Sequence, residues 1–334
     1  MILEICELIG SMVVILVGCE LFANAVEHIG RKFSLSHATA GSLLAAIGTT
    51  MPETIVPILA LIFGGEHGEA VGIGAILGAP FMLLTLTIFL IGSTVLIMKL
   101  KGKRKTTELN ISAGAISFDL KFFIFSFIFV LIGSLLYNAT DFKFINYFLA
   151  FVLVGLYVYY VKVTLNHKKE EGETYEEFFY LTKYFSLKPE MFNVYLQLFV
   201  GLVMIIFGAK FFVANLIFVG TEIGVSMLVL SLLIAPIATE LPEKYNSVTW
   251  LLKKKDTLAM SNITGAVAFQ STMIVALGLL FTEWKLDSYT LLNIAIALTS
   301  GILIFSFLKI KKKINAEILL FGGLFYALYI ILAL

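Results

Sequence analysis

Two short stretches set carboxylates beside hydroxyl groups inside otherwise apolar sequence: GTTMPE at 48–53 and ATELPE at 238–243. An ionisable group in such a segment is costly and is by default a functional candidate. Thr49 and Thr50 precede Glu53 by four and three residues, so on a helical backbone their oxygens converge on one face. Thr239 and Glu240 hold the same spacings to Glu243. Each motif glutamate follows a proline, Pro52 or Pro242, which has no N–H and leaves the carbonyl four residues earlier without a helical partner. The helix should kink or unwind there, and freed carbonyls become available as ligands. Carboxylate, hydroxyl and carbonyl oxygens with no His or Cys beside them in sequence suit a hard cation such as Ca2+, which accepts about 6–8 oxygens. Zinc or copper would be poorly served.

The elements that must position these groups are membrane helices. The chain has 334 residues, 59% of them hydrophobic and 14% charged, with a mean hydropathy of +0.97. So much apolar surface calls for lipid as solvent. A spanning helix needs roughly 20 apolar residues, and ten stretches qualify: about 3–26, 36–63, 69–98, 117–137, 142–163, 191–218, 224–252, 257–281, 286–308 and 314–334. The first lacks a basic leader and a small-residue cleavage site and carries Glu20, so it reads as a retained helix.

The sequence matches itself at an offset of 190 residues, without a gap, from Gly18–Glu53 to Gly208–Glu243. Identical pairs include Gly18/Gly208, Gly30/Gly220, Ser36/Ser226, Thr49/Thr239, Pro52/Pro242 and Glu53/Glu243. Polar and helix-breaking residues would not recur this way in two unrelated apolar runs. Five spans per half is an odd number, so the second copy must enter the membrane from the opposite side. The expectation is an all-α membrane protein of about ten transmembrane helices in two inverted five-helix repeats, 1–163 and 191–334, with a polar cytoplasmic linker at 164–190 that includes a short interfacial helix. Secondary transporters recurrently use this plan, with the substrate near the midplane where broken helices meet. Antiparallel packing of the copies would bring Glu53 and Glu243 face to face.

Charge fixes the expected orientation. With ten spans, nineteen Lys and Arg residues fall in the loops of one face, from Arg31 and Lys32 to Lys309–Lys313, against Lys143 and Lys285 on the other. The basic face is therefore expected in the cytoplasm of a cell membrane, with both termini outside. These lysines flank apolar spans without interleaved stacking aromatics, which speaks against a nucleic-acid partner.

Other residues take plainer readings. Cys6 and Cys19 read as small apolar fillers, and His28, His37, His67 and His167 as residues at or beyond helix ends. The Phe-rich run 122–129 reads as lipid-facing. Gly72, Gly74 and Gly78 read as a close helix-packing face. Lys210 aligns with Glu20, which allows a cross-repeat ion pair or a place at the lipid interface. Lys244, next to Glu243, is either a built-in monovalent cation or a side chain that snorkels away. No nucleophile with a neighbouring base is found, so no enzyme is expected.

The two PE motifs resemble the signature motifs of the calcium/cation antiporter superfamily, whose best-known members are sodium/calcium exchangers. In that family a Gly-Thr-Ser-x-Pro-Glu motif sits in each of two inverted repeats of a ten-helix fold. A second family element is similar to SNITGAVAFQ at 261–270 and, more weakly, to GAILGAPFML at 74–83. Where the family has a sodium-coordinating Ser this sequence has Ala79 and Ala266, and where it has Asn or Asp it has Leu83 and Gln270. The resemblance implies antiport of a divalent cation, Ca2+ foremost, for Na+ or H+. The residues expected to hold the metal are Glu53, Glu243, Thr49, Thr50, Thr239, Glu240 and Gln270. Lipid and inorganic cations are the expected partners, with no cofactor beyond the transported ions, and the oligomeric state is left open. The alternatives are Mg2+ or Mn2+ as substrate, or a cation channel, which would need a wetted pore along its length.

Overall fold

A computed structural model describes residues 2–32, 50–166 and 179–333. The chain runs through α1 (Ile2–Lys32), α2 (Met51–Phe63), a 3-10 turn (Gly65–His67), α3 (Gly68–Met82), a π segment (Leu83–Thr87) and α4 (Ile88–Leu100). There follow α5 (Ala113–Thr140), α6 (Phe144–Asn166), α7 (Tyr180–Phe185), α8 (Met191–Ile223), α9 (Met227–Thr239) and α10 (Leu241–Leu252). The last part holds α11 (Asp256–Phe269), a second π segment (Gln270–Ile274), α12 (Val275–Phe281), α13 (Ser288–Lys311), α14 (Ala316–Leu319) and α15 (Phe321–Ala333). Two-residue strands β1 (Glu108–Leu109) and β2 (Ile314–Asn315) pair antiparallel.

Eight helical runs are long and apolar enough to cross a bilayer, and α2 and α9 are shorter apolar helices of 13 residues each. Against the ten spans expected from hydropathy, the described residues hold these eight runs and the two short helices. The stretch expected at 224–252 breaks at Glu240, between α9 and α10. Of the stretch at 36–63, residues 36–49 lie outside the described residues, and α2 begins after Thr50. The residues that precede α2 and α10 share a backbone conformation: Thr50 has φ −90° and ψ 8°, and Glu240, 190 positions on, has φ −86° and ψ 6°. A proline then occupies the first turn of the next helix in both cases, where its missing N–H has no intrahelical partner to lose.

Glycines set two close crossings. A Cβ on Gly18 of α1 would lie 2.9 Å from the Gly201 carbonyl of α8, and one on Gly208 would lie 2.9 Å from the Ile15 side chain. On α3, a Cβ at Gly74 would meet the Leu228 carbonyl of α9 at 2.6 Å, and Ser231 Oγ of α9 donates to the Val71 carbonyl at 2.7 Å. Gly72 instead faces Leu61 of α2. The single packing face expected from their spacing is thus two: Gly74 and Gly78 lie against α9 and Gly72 against α2.

Two apolar cores result. One lies among α1, α2, α8 and α9 around Ile15, Val56, Phe212 and Ala238; the larger joins α3–α6 to α11–α15 around Phe81, Phe123, Phe127 and Trp284. The phenylalanine run therefore differs from its lipid-facing expectation. Phe122, Phe123 and Phe127 are buried, while Phe125 and Phe129 are exposed, because the helix turns one face to α13 and the other outward. Cys19 is buried as a filler, whereas Cys6 is exposed. Away from the membrane core, Arg104 pairs with buried Asp256, which also accepts from the Asn110 N–H at 2.8 Å. This clamp and the β1–β2 pair tie the loop after α4 to the start of α11 and the end of α13.

Residues 167–178 of the expected linker lie outside the described residues. Its end forms α7, anchored by Phe179 between Ala25 and Val194, and by Tyr180, whose hydroxyl donates to Glu20 Oε2 at 3.0 Å and whose N–H donates to Asn24 Oδ1 at 3.2 Å. The ion pair conceived between Glu20 and Lys210 is not formed: Lys210 is exposed, with Nζ 5.0 Å from the centre of the Phe63 ring. His28 sits within α1, with Nδ1 2.9 Å from the Asn24 carbonyl, and His67 lies in the 3-10 turn. His37 and His167 lie outside the described residues.

Candidate cation site

The start of α2 and the junction of α9 with α10 place three carboxylates together. Glu53 lies in the first turn of α2, Glu240 at the break itself and Glu243 in the first turn of α10. One carboxylate oxygen from each comes within 4.8 Å of the others. Glu53 is 3% exposed and Glu240 and Glu243 are 0% exposed. This is the only such convergence of His, Cys, Asp and Glu among the described residues. Both oxygens of Glu53 and Oε2 of Glu240 are buried and accept no hydrogen bond among those residues.

Bare carboxylates at this separation repel by about 3–4 kcal/mol per pair at an effective dielectric near 20. A nearby positive charge would offset that repulsion.

The hydroxyl residues divide. Thr50, directly before α2, and Thr239, the last residue of α9, are both buried, and the Thr50 carbonyl accepts from Thr54 Oγ1 at 3.0 Å. Thr49 lies outside the described residues. Gln270, the first residue of the second π segment, donates through Nε2 to Glu240 Oε1 at 2.7 Å, and its own Oε1 is buried and accepts no hydrogen bond among the described residues. Its counterpart Leu83 begins the first π segment and brings no polar atom. π turns recur at functional positions because the extra residue re-aims side chains without ending the helix.

Two contacts were not anticipated from the sequence. Asn262, in the second family-like element, donates to the Glu243 carbonyl at 3.2 Å and to Ser247 Oγ at 3.1 Å, so it holds the backbone of α10 beside the cluster. A second-motif Asn directly before a helix contact was the available signal. Met82 Sδ lies 3.0 Å from Lys244 Nζ, which also donates to the Pro236 carbonyl at 3.2 Å. Lys244 is 9% exposed. The snorkelling alternative therefore gives way to a lysine turned into the protein.

Buried carboxylates at the starts of α2 and α10, within a bundle of long apolar helices, mark a predominantly helical, polytopic membrane protein. The chain belongs to the sodium/calcium exchanger protein family, whose sequence profile matches residues 4–165 and 193–334. It is accordingly an integral, multi-pass membrane transporter and not an enzyme. An uncharacterised membrane protein of Methanocaldococcus jannaschii is 23% identical over 321 residues, covering 96% of this chain and 94% of its own length. Among solved structures, the H+/Ca2+ exchanger CAX superposes with a TM-score of 0.75 at 18% identity, over 99% of this chain and 86% of that one. The sodium-calcium exchanger NCX_Mj, soaked with 2.5 mM Na+ and 10 mM Sr2+, gives 0.60 at 18% identity over 98% of each chain.

Proposed function

We propose that this chain exchanges a divalent cation, Ca2+ foremost, for Na+ or H+ by alternating access. The observation that carries this reading is the meeting of Glu53, Glu240 and Glu243, brought together from two motifs 190 residues apart. Thr49, Thr50, Thr239 and Gln270 complete the proposed ligand set with neutral oxygens, the donor type a hard divalent ion takes. A negative site in an apolar interior must stay compensated while its exposure switches sides, so either the divalent ion or its counter-ions occupy it at each transition. Exchange follows, and free leakage does not.

The same reading arranges the eight long runs and the two short helices as ten spans in two inverted halves, 1–163 and 191–334, joined by 164–190. Matched backbone conformations at Thr50 and Glu240, matched prolines, and π segments at 83–87 and 270–274 support a duplicated plan. The concentration of Lys and Arg in loops of one face supports a cytoplasmic placement of those loops with both termini outside.

Flux into proteoliposomes, scanned over Ca2+, Mg2+ and Mn2+ under an imposed Na+ or H+ gradient, tests this directly. Gradient-driven Ca2+ uptake is the expected result; absence of flux for every divalent ion under both gradients rejects the reading. Proton coupling has a specific observation in its favour. Buried Ala79 and Ala266 put no oxygen where the related motif carries a sodium-coordinating Ser. Uptake driven by a pH gradient in sodium-free buffer is its expected signature, and strict sodium dependence rejects it.

Gln270 supplies a smaller test. Gln270→Leu removes the donor to Glu240 and an amide oxygen at once. Losses of partners that orient a metal ligand typically weaken binding by about 10–100-fold. The concentration dependence of flux should shift by that order while maximal flux persists; an unshifted dependence places Gln270 outside the site.

A further inference from the structure

We propose that Lys244 is a fixed cation within the transport site, which sets the charge of the site at minus two and makes exchange of one divalent ion for two monovalent ions electrically silent. The proposal rests on the antiport reading above and specifies its stoichiometry.

The two copies of the motif differ in charge in a correlated way. At the 190-residue offset, Glu240 stands opposite Thr50 and Lys244 opposite Thr54. The second copy thus gains one negative and one positive charge, four residues apart, relative to the first. A glutamate four residues before a lysine is the favourable order on a helix. In the first copy Thr54 turns back on its own helix, donating to the Thr50 carbonyl at 3.0 Å.

The placement of Lys244 suits a counter-charge that does not compete with the cargo. Its Nζ donates to two neutral acceptors, the Pro236 carbonyl at 3.2 Å and Met82 Sδ at 3.0 Å, and to no carboxylate oxygen among the described residues. It therefore leaves oxygens of the cluster available for a cation. Its electrostatic neighbours are Glu240, Glu243 and Glu53. The other buried ionic groups described have partners of their own: Arg104 pairs with Asp256, and Asp119 accepts from Tyr160 at 2.8 Å and Thr264 at 2.7 Å. Three ionised carboxylates and one ammonium sum to minus two. One divalent ion cancels that charge, and so do two monovalent ions of either kind.

The test is Ca2+ exchange in proteoliposomes at clamped membrane potential, set by a K+ gradient with valinomycin. Net movement of one charge per cycle would change the equilibrium Ca2+ ratio about 50-fold per 100 mV. Wild type and Lys244→Arg should show no potential dependence. Lys244→Gln leaves the site at minus three and should show that dependence. Where Lys244→Gln carries no flux, wild type and Lys244→Arg decide the matter, both being expected to exchange silently. Potential-dependent exchange by wild type or by Lys244→Arg overturns the proposal, as does silent exchange by Lys244→Gln. Absence of any wild-type divalent flux overturns instead the antiport reading on which it rests.

Discussion

Glu53→Gln or Glu243→Gln is expected to abolish divalent-cation exchange in reconstituted vesicles while leaving the helical fold in place. Glutamine keeps the shape and one carbonyl oxygen but removes a unit charge from a cluster whose ligand atoms lie within 4.8 Å. Loss of a mere orienting partner costs about 10–100-fold in metal sites, so loss of a charged ligand should reduce flux by more than about 100-fold. The fold should survive, because neither oxygen of Glu53 accepts a hydrogen bond from another described residue. Removing one of several mutually repelling charges should even raise the thermal midpoint of the cation-free protein. It should also erase the stabilisation that Ca2+ confers on a form that binds it. Flux assays beside thermal melts with and without Ca2+ check all three outcomes, and unchanged Ca2+ flux in either variant would sink the site assignment.

The second large effect concerns the scaffold. A Cβ on Gly78 of α3 would sit 2.3 Å from the Leu232 carbonyl and 2.7 Å from Pro236 Cγ of α9. Pro236 has no N–H to offer the Leu232 carbonyl, and its ring stands where α3 passes. A backbone carbonyl and a proline ring cannot swing aside as a flexible side chain would. Overpacking a core costs about 1–3 kcal/mol where neighbours can adjust. Gly78→Val should exceed that range, lower the thermal midpoint in detergent and reduce transport by shifting α9, which leads into Glu240. Gly155→Val, where a Cβ meets nothing within 4 Å, should leave both unchanged. A Gly78→Val protein as stable and active as its parent would show that the α3–α9 crossing is not required.

Much of this was legible in the sequence because the signals were discordant with their surroundings. Glutamates beside prolines in apolar runs stand out, and their recurrence at a fixed offset carries the expectation of two repeats. That the α3 glycines sit at close helix contacts was readable from spacing for the same reason, but not that they divide between α9 and α2. Hydropathy could not tell a continuous span from two helices meeting at Glu240, since both are equally apolar. Nor could it separate Phe123 from Phe125, because the protein interior and lipid reward the same side chain. The bond from Gln270 to Glu240 joins residues 30 positions apart through a π turn that no local pattern announces. The inward turn of Lys244 depends on Met82 and Pro236, which lie on two other helices. Long-range partners of this kind leave no mark on periodicity.

The π segments at 83–87 and 270–274 carry a consequence for how such a protein can change over time. Each holds one residue more than the same turns of α-helix would need. Deleting a single codon there would let the turn relax to ordinary helix and rotate everything beyond it by about 100°. In α12 that would swing Gly278 away from Ile76 of α3, against which it packs closely. Point substitutions along these helices can be absorbed one at a time, but a one-residue loss at either segment changes half a span at once. Lineages should therefore conserve the length of these two turns more strictly than the identity of the residues that make them.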